Sequence, residues 1–412
     1  MDNIGFTFEL VADVFLVAEE VPSQRILKMA VTAPRASKDQ ARPVLNLGLV
    51  VDRSGSMHGE KLEYVKQAAI HVMDLLQEQD RLALVTFDDE VEVVSPSVAI
   101  NPQSRAEIKR KIIEIQSGGS TNLSGGWLLG CQQVAEASAE KQLQRVLLLT
   151  DGLANAGITD MEELGKHAHQ LQNRGISTST FGVGEGFNEH LLEYMANQGG
   201  GNFHYIDNPR SIPAIFIREL QEMASVTARN VEIALGVPAQ IDVQVLGGWK
   251  QEIRQGKLVI SVGDLASNQK REVFIKLLVP PAGNLKEVRI TAEALAKGED
   301  DKTLTQPAEL VLHYAPKSQV QVTAPRIEVL EQYSGVAVAE AATEALKLER
   351  KGQTEEAGVL LENSLRENAA YMPAPMADQY QSMAERLRRG MSEYDRKTSH
   401  QASYNQRQRR DH

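Results

Sequence analysis

The spacing of apolar residues changes rhythm several times along the chain. Residues 5–33 alternate: Phe6, Phe8, Leu10, Ala12 and Val14 form one apolar series, and Ile26, Leu27, Met29 and Val31 begin a second. A period near two predicts two strands joined at Pro22-Ser23. Residues 34–43 are polar with a proline at each end, the composition of a linker. From Val44 the pattern becomes short apolar runs at 44–51, 81–87, 145–150 and 176–183, with 91–94 as an edge strand and 202–206 as a last one. Such runs suit strands buried on both faces. Between them lie helical stretches. One carries Leu62, Val65, Ala69, Val72 and Leu76 on a single face, and others cover about 103–115, 122–138, 160–173, 188–197 and 209–225. Strands alternating with helices predict an α/β domain with a doubly wound, mostly parallel sheet, whose ligands sit beyond the carboxyl ends of the strands.

Residues 230–315 return to strand patterning, with apolar segments beginning near 231, 241, 257, 273, 288 and 310 separated by Gly, Pro and Asn turns. This predicts a β-sandwich. The N-terminal strands need partners, and joining this sandwich makes the α/β region an insertion within it. After Pro325 the chain is rich in Ala, Glu and Leu. Helices are expected at about 333–351 and 354–369, meeting at Lys351-Gly352-Gln353 as one αα-hairpin, with a third at 376–396. Ala345, Leu346, Gly352, Ala357 and Leu361 are spaced as in a tetratricopeptide-like hairpin, but one hairpin is not an array. The resulting division is 1–43 (strands joining the sandwich), 44–228 (α/β domain), 229–318 (sandwich), 325–396 (helical region) and 397–412. That last stretch is a polar tail with Arg407, Arg409 and Arg410, expected to be disordered.

Composition narrows the function. The 412 residues are 42% hydrophobic and 24% charged, as in soluble globular proteins. A formal net charge of −11 argues against nucleic acid or an anionic membrane as partner, since both are polyanions. The single cysteine, Cys131, rules out a disulfide within the chain and reads as a small buried hydrophobe. No run reaches the roughly 18–20 apolar residues of a membrane span. The first residues lack the basic and apolar segments of a secretory signal, so a cytoplasmic protein is expected.

The chemistry gathers where strands end. The first apolar run closes on Asp52-Arg53-Ser54-Gly55-Ser56, and alternation in a short turn points the oxygens of Asp52, Ser54 and Ser56 one way. Alone, this pattern is a common helix cap. A glycine-rich loop, Gly118-Gly119-Ser120-Thr121-Asn122, adds the hydroxyl of Thr121. The most apolar strand ends at Thr150-Asp151-Gly152, adding the carboxylate of Asp151. Oxygen donors of this kind suit hard cations.

In order, spacing and strand context, Asp52, Ser54, Ser56, Thr121 and Asp151 resemble the metal-ion-dependent adhesion site of the von Willebrand factor A (VWA) family, over about 44–225. The resemblance implies a VWA fold and bound Mg²⁺, with Mn²⁺ or Ca²⁺ as alternatives. It implies carboxylates acting mainly through water, leaving an electron-poor metal that takes an Asp or Glu side chain from a protein partner. It also implies that movement of the last helix, 209–225, can accompany metal-ligand exchange. The wider organisation is similar to cytoplasmic bacterial members of the family, and that resemblance implies work beside a MoxR-type AAA+ ATPase, as those members often do, as an adaptor or assembly factor. An exported adhesion protein and a regulatory subunit of a chelatase-like complex are the alternatives.

Catalytic readings are weaker. Gly182-Val183-Gly184-Glu185-Gly186-Phe187 follows a strand but fails the dinucleotide fingerprint at Phe187, and no P-loop occurs. Ser56 lies near His58, yet the Gly-x-Ser-x-Gly elbow is absent. His167 and His169 face different sides of their helix. Asp88-Asp89-Glu90 reads as a solvated acidic turn, with a weak second cation site as the lesser possibility. A non-enzymatic binding protein is therefore expected.

Overall fold

The computed structural model describes residues 5–36, 42–139, 142–298 and 302–408. Residues 37–41 of the expected linker, and Arg409 and Arg410 of the tail, lie outside them. The chain forms two compact units. One spans 36–227; the other combines residues up to 35, 228–298 and 302 onward.

The chain opens with β1 (Thr7–Ala12), β2 (Leu16–Ala18) and β3 (Ser23–Thr32), three strands where the alternation predicts two. The break comes at buried Asp13, whose Oδ1 accepts from the amide of Ile26 at 2.9 Å. It releases Leu16–Ala18 to pair elsewhere.

The unit spanning 36–227 contains β4 (Val44–Asp52), α1 (Glu60–Leu75), β5 (Arg81–Phe87), β6 (Val91–Ala99), α2 (Pro102–Glu114), α3 (Leu123–Glu136), β7 (Gln142–Thr150), α4 (Met161–Asn173), β8 (Ile176–Val183), α5 (Glu189–Gln198), β9 (Gly200–Ile206) and α6 (Ile212–Ala224). The strands make one sheet in the order β6-β5-β4-β7-β8-β9. All pairs are parallel except β5 with edge strand β6.

Alternation along β4 sets both faces of this sheet. Leu45, Leu47, Leu49 and Val51 enter one core with Leu62, Val65 and Val72 of α1, Ile108 and Ile112 of α2, and Phe216 and Leu220 of α6. Asn46, Gly48 and Val50 face α3. A Cβ at Gly130 would lie 2.2 Å from Val50, and one at Gly48 would lie 2.9 Å from Val134. The two glycines let the helix backbone settle directly on the strand.

After β4 the chain proceeds outward through β5 to β6, then returns to place β7 on the other side of β4. That reversal opens a crevice between the carboxyl ends of β4 and β7, where an open α/β sheet binds ligands.

The last helix of this unit is fixed by a buried charge. Glu219 of α6 accepts from Arg145 (3.1 Å) and Ser179 (2.5 Å) on Oε1, and from Asn202 (2.7 Å) on Oε2, where His204 Nε2 also lies 3.0 Å away. Burial alone would raise its carboxyl pKa. The hydrogen bond and charge of His204, with Arg145 and Ser179, outweigh burial and hold it well below the usual carboxylate range.

The second unit holds β10 (Val226–Gly236, from Ala228 on), β11 (Asp242–Leu246), β12 (Lys250–Arg254), β13 (Lys257–Ala266), β14 (Lys270–Val279), β15 (Glu287–Gly298), β16 (Thr303–Ala315) and helices α7 (Lys317–Val322), α8 (Ile327–Arg350), α9 (Thr354–Asn368), α10 (Ala374–Arg389) and α11 (Glu393–Gln408). Its sheets run β1-β3-β14-β11 and β12-β13-β10-β15-β16-β2. One core joins them, with Leu27, Met29, Val273 and Ile275 from the first and Ile233, Ile260, Ile290 and Leu312 from the second. On the outer face of the first sheet, Val11, Ile26, Leu246 and Phe274 pack against Val329 and Val336 of α8.

The helical region corrects two expectations. It holds more than one hairpin, since the residues read as a third helix to 396 divide into α10 and α11 around Gly390. Residues 397–408, expected to be disordered, are helical, and Lys397, His400, Ser403, Tyr404 and Arg407 are buried. Polar pairs hold this segment. Arg396 donates to both oxygens of Glu349, at 2.6 and 2.7 Å, and Gln408 donates to the Gly247 carbonyl at 2.9 Å. Hydropathy reads such residues as solvated because it is blind to a specific partner far away in sequence. Among the described residues no helix is long and apolar enough to cross a membrane.

Glu219→Ala is expected to cost about 3–5 kcal/mol at neutral pH, because Arg145, Asn202 and His204 lose the buried carboxylate that they share. The folded pKa of Glu219 lies below the unfolded value of about 4.3. Its contribution is therefore complete above that value and fades as pH falls toward the depressed one. Urea unfolding at several pH values checks this: the gap between the two proteins narrows on acidification, and a pH-independent gap refutes it.

Candidate functional site

All five sequence-predicted residues come to the crevice between β4 and β7. Asp52 ends β4 on the α3 side by the same alternation that places Val50 there. Thr150 ends β7 one residue beyond the Val51–Leu149 pair. The Thr150 hydroxyl donates to Asp52 Oδ2, and the Ser54 amide donates to Asp52 Oδ1 at 2.8 Å. Asp52 is fully buried. Burial raises its pKa to about 6 against the lowering pull of Thr150 and Ser54, and the negative charge of Asp151 adds to the rise.

Residues Gly55–Met57 form a single 3₁₀ turn behind Ser54, which brings Ser54 Oγ and Ser56 Oγ to 3.2 Å. Ser56 donates to Asp151 Oδ1 at 2.6 Å. Lys61, in the first turn of α1, contacts Asp151 Oδ2 and lies 3.3 Å from the Ser56 carbonyl.

The loop carrying Thr121 is pinned by backbone bonds. Gly118 donates to the Arg53 carbonyl (2.7 Å), Gly55 to the Gly119 carbonyl (2.9 Å) and Asn122 to the Asp88 carbonyl (2.8 Å). Asp88 Oδ2 accepts from the Gly119 amide at 3.2 Å, and Oδ1 from the Glu90 amide at 2.8 Å. A Cβ at Gly118 would overlap the Asp88 carboxylate, which the Gly119 and Glu90 amides hold in place, so that approach demands glycine; one at Gly119 would meet the exposed Asp89 carboxylate, which could turn aside. Asp88 is buried. It organises the loop, which corrects its reading as part of a solvated turn. His58 Nδ1 lies 3.2 Å from Ser117 Oγ.

Asn155, which the sequence reading passed over, grips Thr121 from the far side. Its Oδ1 accepts from the Thr121 amide (3.1 Å), and its own amide donates to the Thr121 carbonyl (3.3 Å). Among the described residues nothing hydrogen-bonds the Thr121 hydroxyl. A Cβ at Gly152 would lie 3.1 Å from Thr121 Oγ1 and 3.8 Å from Ser56 Oγ. The two hydroxyls thus border one small space. Thr150 and Asn155 were missed because their role is to aim another residue. A Thr before the Asp and an Asn four residues after it were the available signals.

Among the described residues no three His, Cys, Asp or Glu side chains gather as a metal cluster. Only two carboxylates stand here, so any metal must be held largely by hydroxyls. The spacing fits. Two oxygens each about 2.0–2.1 Å from an octahedral Mg²⁺ are about 2.9 Å apart, close to the 3.2 Å between Ser54 Oγ and Ser56 Oγ. The donor set of three neutral hydroxyls before two buried carboxylates is all oxygen, as a hard cation requires.

Thr150→Val should lower stability by about 1.5–3 kcal/mol, the range for a lost hydrogen bond to a charged group. Thr121→Ala should leave stability within about 1 kcal/mol, since no protein bond is lost. Denaturant titration of both variants separates a structural hydroxyl from one reserved for a ligand, and equal losses would contradict the assignment.

Residues 46–218 match the von Willebrand factor type A domain model. The chain is 30% identical over 415 aligned positions to the Synechocystis protein sll0103, covering 96% of this chain and 95% of that one. It is 32% identical over 232 positions to YfbK of Escherichia coli, covering 56% of this chain and only 38% of that protein. Among solved structures, a von Willebrand factor type A protein from Catenulispora acidiphila superposes with a TM-score of 0.76 at 18% identity, covering 97% of this chain and 96% of the other. That likeness shows a shared fold. A domain model on the α/β unit and a relative aligned along nearly the whole chain place this protein in the von Willebrand factor type A domain family.

Proposed function

We propose that this chain is a divalent-metal-dependent protein-binding module without catalytic activity. Ser54, Ser56 and Thr121 hold the cation through their hydroxyls, backed by Asp52 and Asp151, and an open position takes an Asp or Glu side chain from a partner. Mg²⁺ is the favoured ion, with Mn²⁺ or Ca²⁺ as substitutes. The observation that carries this reading is the convergence of these hydroxyls before two buried carboxylates, with the Thr121 hydroxyl engaged by nothing else among the described residues.

Charge completes the argument. Mostly neutral donors leave the dication with much of its charge uncompensated, so an incoming carboxylate gains a charge-assisted bond in a partly enclosed place. Domains of this family generally mediate protein–protein interaction. A nucleophile reading of Ser56 gains no support, because its hydroxyl faces Asp151 and the nearby His58 ring faces Ser117. We place the protein in the cytoplasm as an adaptor, with a MoxR-type AAA+ ATPase as the proposed partner. The strands and helices of the second unit would serve as scaffold or further docking surface.

Calorimetric titration with MgCl₂ should show one site in the wild type and none in Ser54→Ala or Thr121→Ala. Affinity capture from native lysate, with bound proteins identified by mass spectrometry, should recover a partner that EDTA and Thr121→Ala both release. A partner retained under both treatments would defeat the metal bridge, and recovery of no AAA+ ATPase would defeat that choice of partner.

A further inference from the structure

Lys61 stands where helix electrostatics disfavour it. It is the second residue of α1, and a cation in a first helical turn opposes the macrodipole. Its flanking acids Glu60 and Glu63 obey the rule. What draws Lys61 is Asp151. The ammonium contacts Asp151 Oδ2 while Ser56 occupies Oδ1, and the Ser56 carbonyl lies 3.3 Å from the same nitrogen. The Asp151 side chain is wholly buried, whereas 31% of the Lys61 side chain is exposed. The stem passes Gly184, where a Cβ would stand 3.7 Å from Lys61 Cε. The ammonium therefore has a route to water that the carboxylate lacks.

We propose that Lys61 is a tethered counter-ion of the crevice: it neutralises Asp151 when no dication is present and opposes a dication that comes to the same carboxylate. This rests on the metal-binding reading above. Two buried carboxylates in one crevice repel each other and lose their hydration. A resident ammonium offsets both penalties and keeps the loops assembled in the metal-free protein. A dication then meets a positive charge already paired with one of its acids. It must displace the ammonium toward solvent or bind with that charge close by, and either way affinity falls. The same side chain stabilises one state and weakens binding in the other, which a purely structural lysine would not do.

The test is titration of the full chain with MnCl₂, following free Mn²⁺ by electron paramagnetic resonance, alongside thermal unfolding in EDTA. Lys61→Met and Lys61→Gln should each bind Mn²⁺ about tenfold more tightly than the wild type, equivalent to about 1.4 kcal/mol. Both should unfold at lower temperature in EDTA and recover when Mn²⁺ saturates them. Lys61→Arg, which keeps the charge, should behave as the wild type does. The Gln variant decides if the Met variant fails to fold. Affinity unchanged or weakened in the uncharged variants overturns the proposal while leaving the metal site standing. Absence of Mn²⁺ binding from every protein, wild type included, brings down the metal reading and this one together. Binding by the variants to which the wild type is silent supports both.

Discussion

Two carboxylates that water barely reaches, Asp52 and Asp151, face one crevice from the ends of neighbouring parallel strands. Like charges held in such a place repel each other and demand positive charge or hydrogen-bond donors nearby. The local structure answers that demand. The Ser54 amide and the Thr150 hydroxyl are spent on Asp52, and Ser56 and Lys61 on Asp151. The Ser54 hydroxyl lies 3.2 Å from that of Ser56, and the Thr121 hydroxyl has no hydrogen-bond partner among the described residues. Concentrated negative charge with neutral oxygens before it is what the proposed cation site rests on.

The sheet topology makes the arrangement achievable. A reversal of strand order between β4 and β7 spreads their carboxyl ends and gives three loops a common space. Short-range devices then fix the loops to one another: the close approach of Gly118 to Asp88, the backbone bonds of Arg53 and Gly55, and the two-way grip of Asn155 on Thr121. Beneath them the buried network around Glu219 ties α6 to three strands of the same sheet. Helix movement of the kind the family resemblance implies would have to break or carry along that network, so its cost is set by a buried charge as well as by apolar packing.

The second unit is built on a different balance. Its two sheets share an apolar core, while its last helix is held by arginine, glutamate and glutamine contacts. Burial of Glu349 tends to raise its pKa, but Arg396 and the Met391 amide pull it below the ordinary range. A helix this polar gains its place from partners supplied by the fold, and its order is conditional on them.

The sequence alone determined the alternation of strand and helix in 44–225 and marked the five residues that the fold brings to one crevice. These follow from local periodicity and from loops whose residue types are set by turn geometry and ligand chemistry, both of which a short window records. The tertiary structure decided the rest. It split residues 5–33 into three strands shared between two sheets, turned a polar tail into a buried helix, made Asp88 an internal clamp, and brought Thr150, Asn155 and Lys61 to the side chains they orient or neutralise. Each of these depends on a partner distant in sequence, and the energy of a buried hydrogen bond or ion pair lies in that pairing, to which the residue's own hydropathy and neighbours give no clue.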